Sequence, residues 1–313
     1  MKQVIITGAT GFIGRHVLQE LYANDIEIIA LVRKGSKYLS RLDCYSKIKI
    51  IEWGYDEIFP IKEKLKGYSI DTIYHFAWQG VSGEEQNNAD VQFQNLRMTL
   101  LLIDLAHELE IGTFIAVGSM YELEVMKELT EKREHTKMNN MYTLSKLAAH
   151  NMAKKKASDF GIRFFWPIIT NPYGAGEISA RLISVVIRKL LCGEIPQVSS
   201  GEQLCDFIHI KDVARAMYSI GINGKAGRNY LISSGNPRPL KSYLRIVEKI
   251  CNEYSDNKVQ VGFGQWNGHV VFLDEKDLLT EELKEDLKFQ CMISFEEGIR
   301  QAIIWQKNNM QFM

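Results

Sequence analysis

Thr7-Gly8-Ala9-Thr10-Gly11-Phe12-Ile13-Gly14 narrows the possible folds of this chain more than any other segment. It sets glycines at i, i+3 and i+6 between a strand-like run, Val4-Ile5-Ile6, and a helical pattern from Phe12 to Leu21. A turn of this kind lets backbone approach a ligand closely. The helix opening behind it presents amide donors and the positive end of its dipole, a cradle for phosphate. The expected contacts are Gly8, Thr10, Gly11, Phe12, Ile13 and Gly14.

Further short apolar runs follow at Glu27 to Val32, Ile48 to Glu52, Thr72 to Ala77, Thr113 to Val117 and Arg163 to Pro167, most of them separated by helical segments. Strands alternating with helices imply right-handed crossovers, an α/β class and a doubly wound parallel sheet. After Pro167 the pattern loosens, with a helix expected from about Ser179 to Cys192, regularity returning at Phe207 to Ile210, two or more amphipathic helices beyond Leu240 and an aromatic-rich strand near Val270-Val271-Phe272. The division expected is a dinucleotide-binding domain of residues 1–167 plus about 205–235, and a smaller, discontinuous substrate domain of about 168–204 plus 236–313 covering the sheet's C-terminal edge.

The second strand ends Leu31-Val32-Arg33-Lys34. A carboxylate there would suit the ribose hydroxyl of NAD. Arg33, with Lys34 and Ser36 as helpers, suits the 2′-phosphate of NADP, so NADP(H) is expected over NAD(H). Asp71-Thr72-Ile73-Tyr74-His75-Phe76-Ala77 resembles a segment of the family named below, a resemblance that implies Ala77 borders the cofactor, while His75, a lone histidine on a buried strand, reads as structural. Trp78 follows in a loop where it either faces substrate or packs. Tyr142 and Lys146 stand at i and i+4 on a helix expected over Met141 to Phe160, which stacks both on one face. A neighbouring ammonium favours the phenolate and lowers a tyrosine pKa from about 10.

Together these motifs resemble the extended short-chain dehydrogenase/reductase family, the NAD-dependent epimerase/dehydratase type that modifies nucleotide sugars on a Rossmann sheet. The resemblance implies a reactive group of Ser119, Tyr142 and Lys146, with the serine 23 positions before the tyrosine. Tyr142 and Lys146 would also touch the cofactor. It further implies substrate contacts at Trp78, Met120, Asn171 and Cys205, the asparagine through the Asn171-Pro172-Tyr173-Gly174 segment. Asn95, expected at the start of a long helix, resembles an asparagine that supports the active-site backbone, with a capping role equally open. Gln203-Leu204-Cys205-Asp206-Phe207-Ile208-His209-Ile210-Lys211-Asp212-Val213-Ala214 departs from the family pattern at Cys205, where an arginine usually meets the nucleotide phosphates. Arg181, Arg188 or Arg238 would then have to supply the cation, while Asp206 and Asp212 fix the loop and cap its helix.

Within this family, 4,6-dehydratases carry an acid pair after the fifth strand and 3,5-epimerase-reductases a cysteine beside the serine. Ser119-Met120-Tyr121-Glu122 has neither. The remaining readings are an NADPH-dependent C4 ketoreductase acting on a nucleotide-linked 4-keto-6-deoxyhexose, favoured by Arg33, and a nucleotide-sugar 4-epimerase retaining NAD. A non-catalytic dinucleotide sensor is a third class, disfavoured because tyrosine and lysine are both kept.

Lys plus Arg equals Asp plus Glu at 38 each, so no global charge draws the chain to nucleic acid or an anionic membrane, and a small-molecule partner is expected. Five scattered cysteines argue against a disulfide framework or a metal site. With no signal-like or membrane-spanning run recognised, a cytoplasmic location is expected. A homodimer through the helices bearing Asn95 and Tyr142 is implied by the resemblance alone.

Overall fold

The computed structural model describes residues 1–54, 58–130, 140–255, 257–268, 270 and 273–309. The described chain divides into two compact units, one of residues 1–168, 214–230 and 282–289, the other of 169–213, 231–281 and 290–313. Residues 205–213 and 231–235, expected with the first unit, fall in the second, and 282–289 returns to the first.

The first unit runs β1 (Gln3–Thr7), α1 (Phe12–Ala23), β2 (Glu27–Arg33), β3 (Ile48–Trp53), α2 (Ile58–Leu65), β4 (Thr72–His75), α3 (Ala89–Glu108), β5 (Thr113–Ala116), β6 (Gly118–Ser119), α4 (Met120–Thr130), α5 (Met141–Asp159) and β7 (Arg163–Phe165). Six of these strands form one sheet in the order β3-β2-β1-β4-β5-β7, every pair parallel. Parallel strands are covered on both faces and so are apolar throughout. Val4, Ile5, Ile6, Ile73, Tyr74, Phe114 and Ile115 are accordingly fully buried. Each such aliphatic or aromatic side chain contributes roughly 1.5–3 kcal/mol by leaving water.

Strand order reverses between β1 and β4. Such a reversal opens a crevice at the strands' C-terminal ends. It falls where the glycine turn leaves β1. The fourth strand stops at His75, short of the expected Ala77, because the Ala77 amide bonds the Thr7 hydroxyl (3.2 Å) in place of a neighbouring strand.

Buried alanines Ala149, Ala153 and Ala157 recur every fourth residue along α5 and share a core with Met98, Leu102, Leu105 and Ala106 of α3. Small residues on that stripe let the two helix backbones approach. Asn140 caps α5 by accepting from the Thr143 amide (2.9 Å), which places Tyr142 in the first turn. Asn95, expected at a helix start, lies inside α3. The cap is Asn88, whose side chain accepts from the Val91 amide (3.2 Å).

The second unit has its own core, in which Tyr173, Ile187, Leu190, Phe207, Tyr243, Leu244, Ile299 and Ile303 are buried. Its strands are short: Asn171–Tyr173 runs parallel to Phe207–His209, Leu204–Cys205 antiparallel to Arg238–Pro239, and Gln197–Val198 parallel to Gly262–Phe263. The helix expected from about Ser179 starts later, at Leu182–Leu191, because Glu177 holds the Ser179 amide in the preceding loop (2.8 Å). Of the strand expected at Val270-Val271-Phe272, Val271 and Phe272 lie outside the described residues and Val270 is irregular. Among the described residues no helix is long and apolar enough to cross a membrane.

Candidate active site

Gly8 sits at φ +70°, and a Cβ there would lie 2.6 Å from the Ala77 amide nitrogen. A Cβ on Gly14 would lie 2.2 Å from the Gly8 carbonyl oxygen. Side chains at these two positions would fill the turn, so glycine is what lets β1, β4 and α1 converge. The Gly11 amide closes the turn on the Gly8 carbonyl (3.0 Å), and Gly11 stands at the N-cap of α1 without a side-chain cap. The first-turn amides of Phe12, Ile13 and Gly14 have no intrahelical acceptor, which suits an anion.

This turn forms one wall of a cleft of about 280 Å³ wholly within the first unit. Gly8, Thr10, Gly11, Arg33, Ser36, Ala77 and Trp78 line it, joined by Tyr38, Trp53 and Gln79. Lys34 is exposed and is not part of the lining. Arg33 donates to the Gln79 side-chain oxygen (3.4 Å). Arg41, not anticipated from the sequence, donates to the Thr10 carbonyl (2.9 Å) and stacks on Tyr38, 4.1 Å from the ring centre. Partial burial and then Arg15 lower its pKa. A cleft with glycines on one wall and Arg33 in its lining suits the phosphates of a dinucleotide.

His75 is structural. Its ring bridges Thr7 Oγ1 (2.8 Å) and Thr99 Oγ1 (3.0 Å), and Thr99 Oγ1 in turn donates to the Asn95 carbonyl (3.0 Å). That network assigns the proton to Nε2, because Thr99 has spent its own hydrogen on Asn95. Burial, with Lys146 adding to it, pushes the His75 pKa down to about 3. Asn95 is no cap: its side chain accepts from the Gln79 amide (2.9 Å) and donates to the Gln79 carbonyl (2.8 Å), clamping the loop after β4.

Tyr142 and Lys146 meet on one face of α5, and both are buried. The Lys146 ammonium donates to the Val117 carbonyl (2.8 Å), two residues before Ser119, and stands 3.7 Å from the Trp78 ring centre. Tyr142 meets the same indole edge to face at 6.2 Å. Desolvation pulls the Lys146 pKa down to about 7, and Glu122 opposes that fall. Tyr142 lies near the positive end of the helix dipole, which favours a phenolate. Trp78, whose Nε1 donates to Gln92 (2.9 Å), therefore packs against the pair from the cleft side.

Ser119 ends β6, and Met120 opens α4. The Ser119 amide donates to Glu122 Oε1 (2.8 Å), and its hydroxyl accepts from the Tyr121 amide (3.4 Å). Glu122 is fully buried, with Trp166 Nε1 at 3.2 Å from each oxygen and His150 Nδ1 at 3.2 Å from Oε2. It therefore offers no solvent-facing acid. Neither Glu122 nor His150 was anticipated, although His150 continues the i, i+4 spacing of Tyr142 and Lys146.

Asn171 and Cys205 belong to the second unit. Asn171 Nδ2 donates to the Asp206 carbonyl (3.1 Å). Cys205 pairs across its ladder with Arg238, one of the cations considered for the missing arginine, and burial pushes its thiol up to about 12. Arg181 pairs with Glu177 (3.0 Å). Asp206 fixes the loop as expected, accepting from the Ser234 amide (2.6 Å), the Ser234 hydroxyl (2.8 Å) and the Asn236 amide (3.0 Å). Asp212 bonds the amides of Met292 (3.0 Å) and Ile293 (3.1 Å), outside its own helix.

A glycine turn at the switch point and a buried tyrosine-lysine pair one helical turn apart define a dinucleotide-dependent short-chain dehydrogenase/reductase of extended type. The chain belongs to the NAD dependent epimerase/dehydratase family, whose model matches residues 4–233. It is 22% identical to a dTDP-glucose 4,6-dehydratase of Escherichia coli over 99% of this chain and 95% of that protein. It is 25% identical to a dTDP-4-dehydro-6-deoxy-D-allose reductase of a Streptomyces species over 72% of this chain and 74% of the other. Among solved structures, a UDP-glucose 4-epimerase from Bifidobacterium longum in complex with NAD+ and UDP superposes with a TM-score of 0.79 at 19% identity, with 100% of both chains covered. That likeness establishes the fold.

Proposed function

We propose that this protein reduces the C4 keto group of a nucleotide-linked 4-keto-6-deoxyhexose with NADPH. The observation that carries the choice of cofactor is Arg33 on the wall of the cleft beside Ser36, where a fork of N–H donors suits a 2′-phosphate. NADPH, when bound, supplies the hydride to C4. Tyr142 donates its phenolic proton to the carbonyl oxygen, which stays on C4 and becomes its hydroxyl, and the phenolate regains a proton from solvent afterwards. Ser119 holds the same oxygen as negative charge develops, and the Lys146 ammonium steadies the phenolate. Asn171 and Cys205 are proposed as substrate contacts, with Arg238 beside Cys205 supplying the cation that position lacks.

The engagement of Glu122 supports reduction over dehydration. Elimination of water requires acid and base groups presented to the sugar, and the one carboxylate in Ser119-Met120-Tyr121-Glu122 is tied to Ser119, Trp166 and His150. The reductase from Streptomyces gives this reading a precedent within the family. A second reading, 4-epimerisation with retained NAD, draws on the NAD+ held by the B. longum structure. A homodimer through α3 and α5 accords with Phe93 and Met152, exposed at 65% and 50% on those helices.

The test is a panel of nucleotide-linked 4-keto-6-deoxyhexoses followed by NADPH and NADH absorbance. Stoichiometric NADPH oxidation is expected, lost by a factor of about 10² to 10⁴ in Tyr142→Phe with NADPH affinity kept. Conversion of ordinary nucleotide hexoses with the cofactor unchanged would favour the epimerase, and full activity of Tyr142→Phe would remove the proton donor.

A further inference from the structure

Glu122 has no place in the mechanism above, yet it is a fully buried carboxylate a few residues from Ser119. A charge taken out of water needs donors and a countercharge. The donors are the Ser119 amide, the Trp166 indole and the His150 ring. Two of these groups connect it to Lys146. His150 follows Lys146 by one helical turn on α5 and stacks on Trp166, with centroids 5.1 Å apart and planes at 9°. The Lys146 ammonium stands 5.3 Å from the centre of that same Trp166 ring, so an indole whose N–H is given to Glu122 also presents its π-system to Lys146.

We propose that Glu122 is a positioning residue for the reaction: anchored by Ser119, Trp166 and His150, its carboxylate supplies the countercharge that keeps Lys146 an ammonium ion beside Tyr142. The proposal rests on the reductase reading for its kinetic consequence and, for the charge state, on the Trp166 indole shared by Glu122 and Lys146 together with the opposition of Glu122 to the desolvation of Lys146. The other titratable groups around Lys146 do not fill the role. Tyr142, on its own helix, is the proton donor in the proposed reduction and brings no countercharge before it reacts. His75, from β4, is kept uncharged by burial. His150, half-buried, places its Nδ1 3.2 Å from the same carboxylate and carries no negative charge. Without Glu122, desolvation of Lys146 acts unopposed and its proton is lost at lower pH.

The experiment is a pH titration of tryptophan fluorescence in the full-length protein, because Trp78 and Trp166 both face Lys146. Lys146→Met is the blank that identifies the transition. Glu122→Gln, which keeps the shape and one acceptor oxygen while removing the charge, is expected to lower the midpoint by on the order of one to two pH units, the size of one opposite charge nearby. His150→Asn, which keeps a donor, is expected to give a midpoint no lower than the wild type. In turnover, the alkaline limb of kcat in Glu122→Gln should move in the same direction by the same amount, whereas a residue that only braces the fold would lower kcat at every pH. An unmoved fluorescence midpoint in folded Glu122→Gln overturns the proposal. A moved midpoint with no turnover on any ketosugar upholds it and overturns the substrate assignment instead.

Discussion

The Lys146 ammonium nitrogen stands 3.7 Å from the centre of the Trp78 ring, so a residue of the loop after β4 and a residue of α5 form one side of the reactive site. The indole both stabilises the cation and shields it from water, and its Nε1 is fixed by Gln92. Replacing Trp78 by leucine removes the π face and admits water. Turnover should fall about 5- to 30-fold, equivalent to about 1–2 kcal/mol for a partly desolvated cation–π contact. Trp78→Phe, which keeps a ring and loses the bond to Gln92, should fall between. Steady-state rates on the ketosugar decide it, and an unchanged rate in Trp78→Leu would make the contact incidental.

Arg33 is the discriminating group for the cofactor. Arg33→Ala should weaken NADPH binding by about 10- to 100-fold, matching about 1.5–3 kcal/mol for hydrogen bonds to a charged group, while NADH affinity changes little. Raising salt should erode the wild-type preference, since the side chain is exposed. Paired fluorescence titrations with both dinucleotides measure this. Equal losses for the two would mean that Arg33 reads something other than the 2′-phosphate.

Gly14 and Gly35 separate steric need from backbone freedom. A methyl at Gly14 meets the Gly8 carbonyl oxygen at 2.2 Å, and neither backbone can retreat without opening the turn. Gly14→Ala should cost about 3 kcal/mol or more, at the upper end for overpacking, and abolish dinucleotide binding. At Gly35, φ is +68° with nothing within 4 Å, so Gly35→Ala should cost only the roughly 1–2 kcal/mol of a left-handed residue with a Cβ. Urea unfolding and cofactor titration of both variants provide the comparison.

His75 makes the fold sensitive to acid. Its folded pKa of about 3 lies below the ordinary 6.5, so the unfolded chain binds a proton there that the folded chain refuses. The stability this group contributes is present in full above pH 6.5 and is lost as pH falls toward 3. A His75→Gln variant should show a shallower fall in unfolding free energy between pH 6.5 and 4 than the wild type. Parallel slopes would show that other groups, such as His209, with its own pKa down to about 4, govern acid unfolding.

Local periodicity and short motifs carried the reading of the first unit a long way. Strands were legible because parallel strands, buried on both faces, appear as unbroken apolar runs, and Val4-Ile5-Ile6 and Phe114-Ile115 are such runs. Tyr142 and Lys146 were legible because one helical turn places them together. The start of α3 was missed because Asn88 and Asn95 are both plausible caps in sequence, and only the bonds to Val91 and Gln79 tell them apart.

By itself, then, the sequence determined the alternation of strands and helices, the glycine turn and the pairing of Tyr142 with Lys146, all of which depend on spacings of a few residues. Tertiary structure alone decided that Arg41 reaches Thr10 across 31 positions, that Glu122 turns inward to Trp166 across 44, and that Arg238 stands opposite Cys205. The physical reason is that these contacts depend on which strands lie side by side and how deeply a carboxylate is desolvated. Neither property resides in any local run of residues.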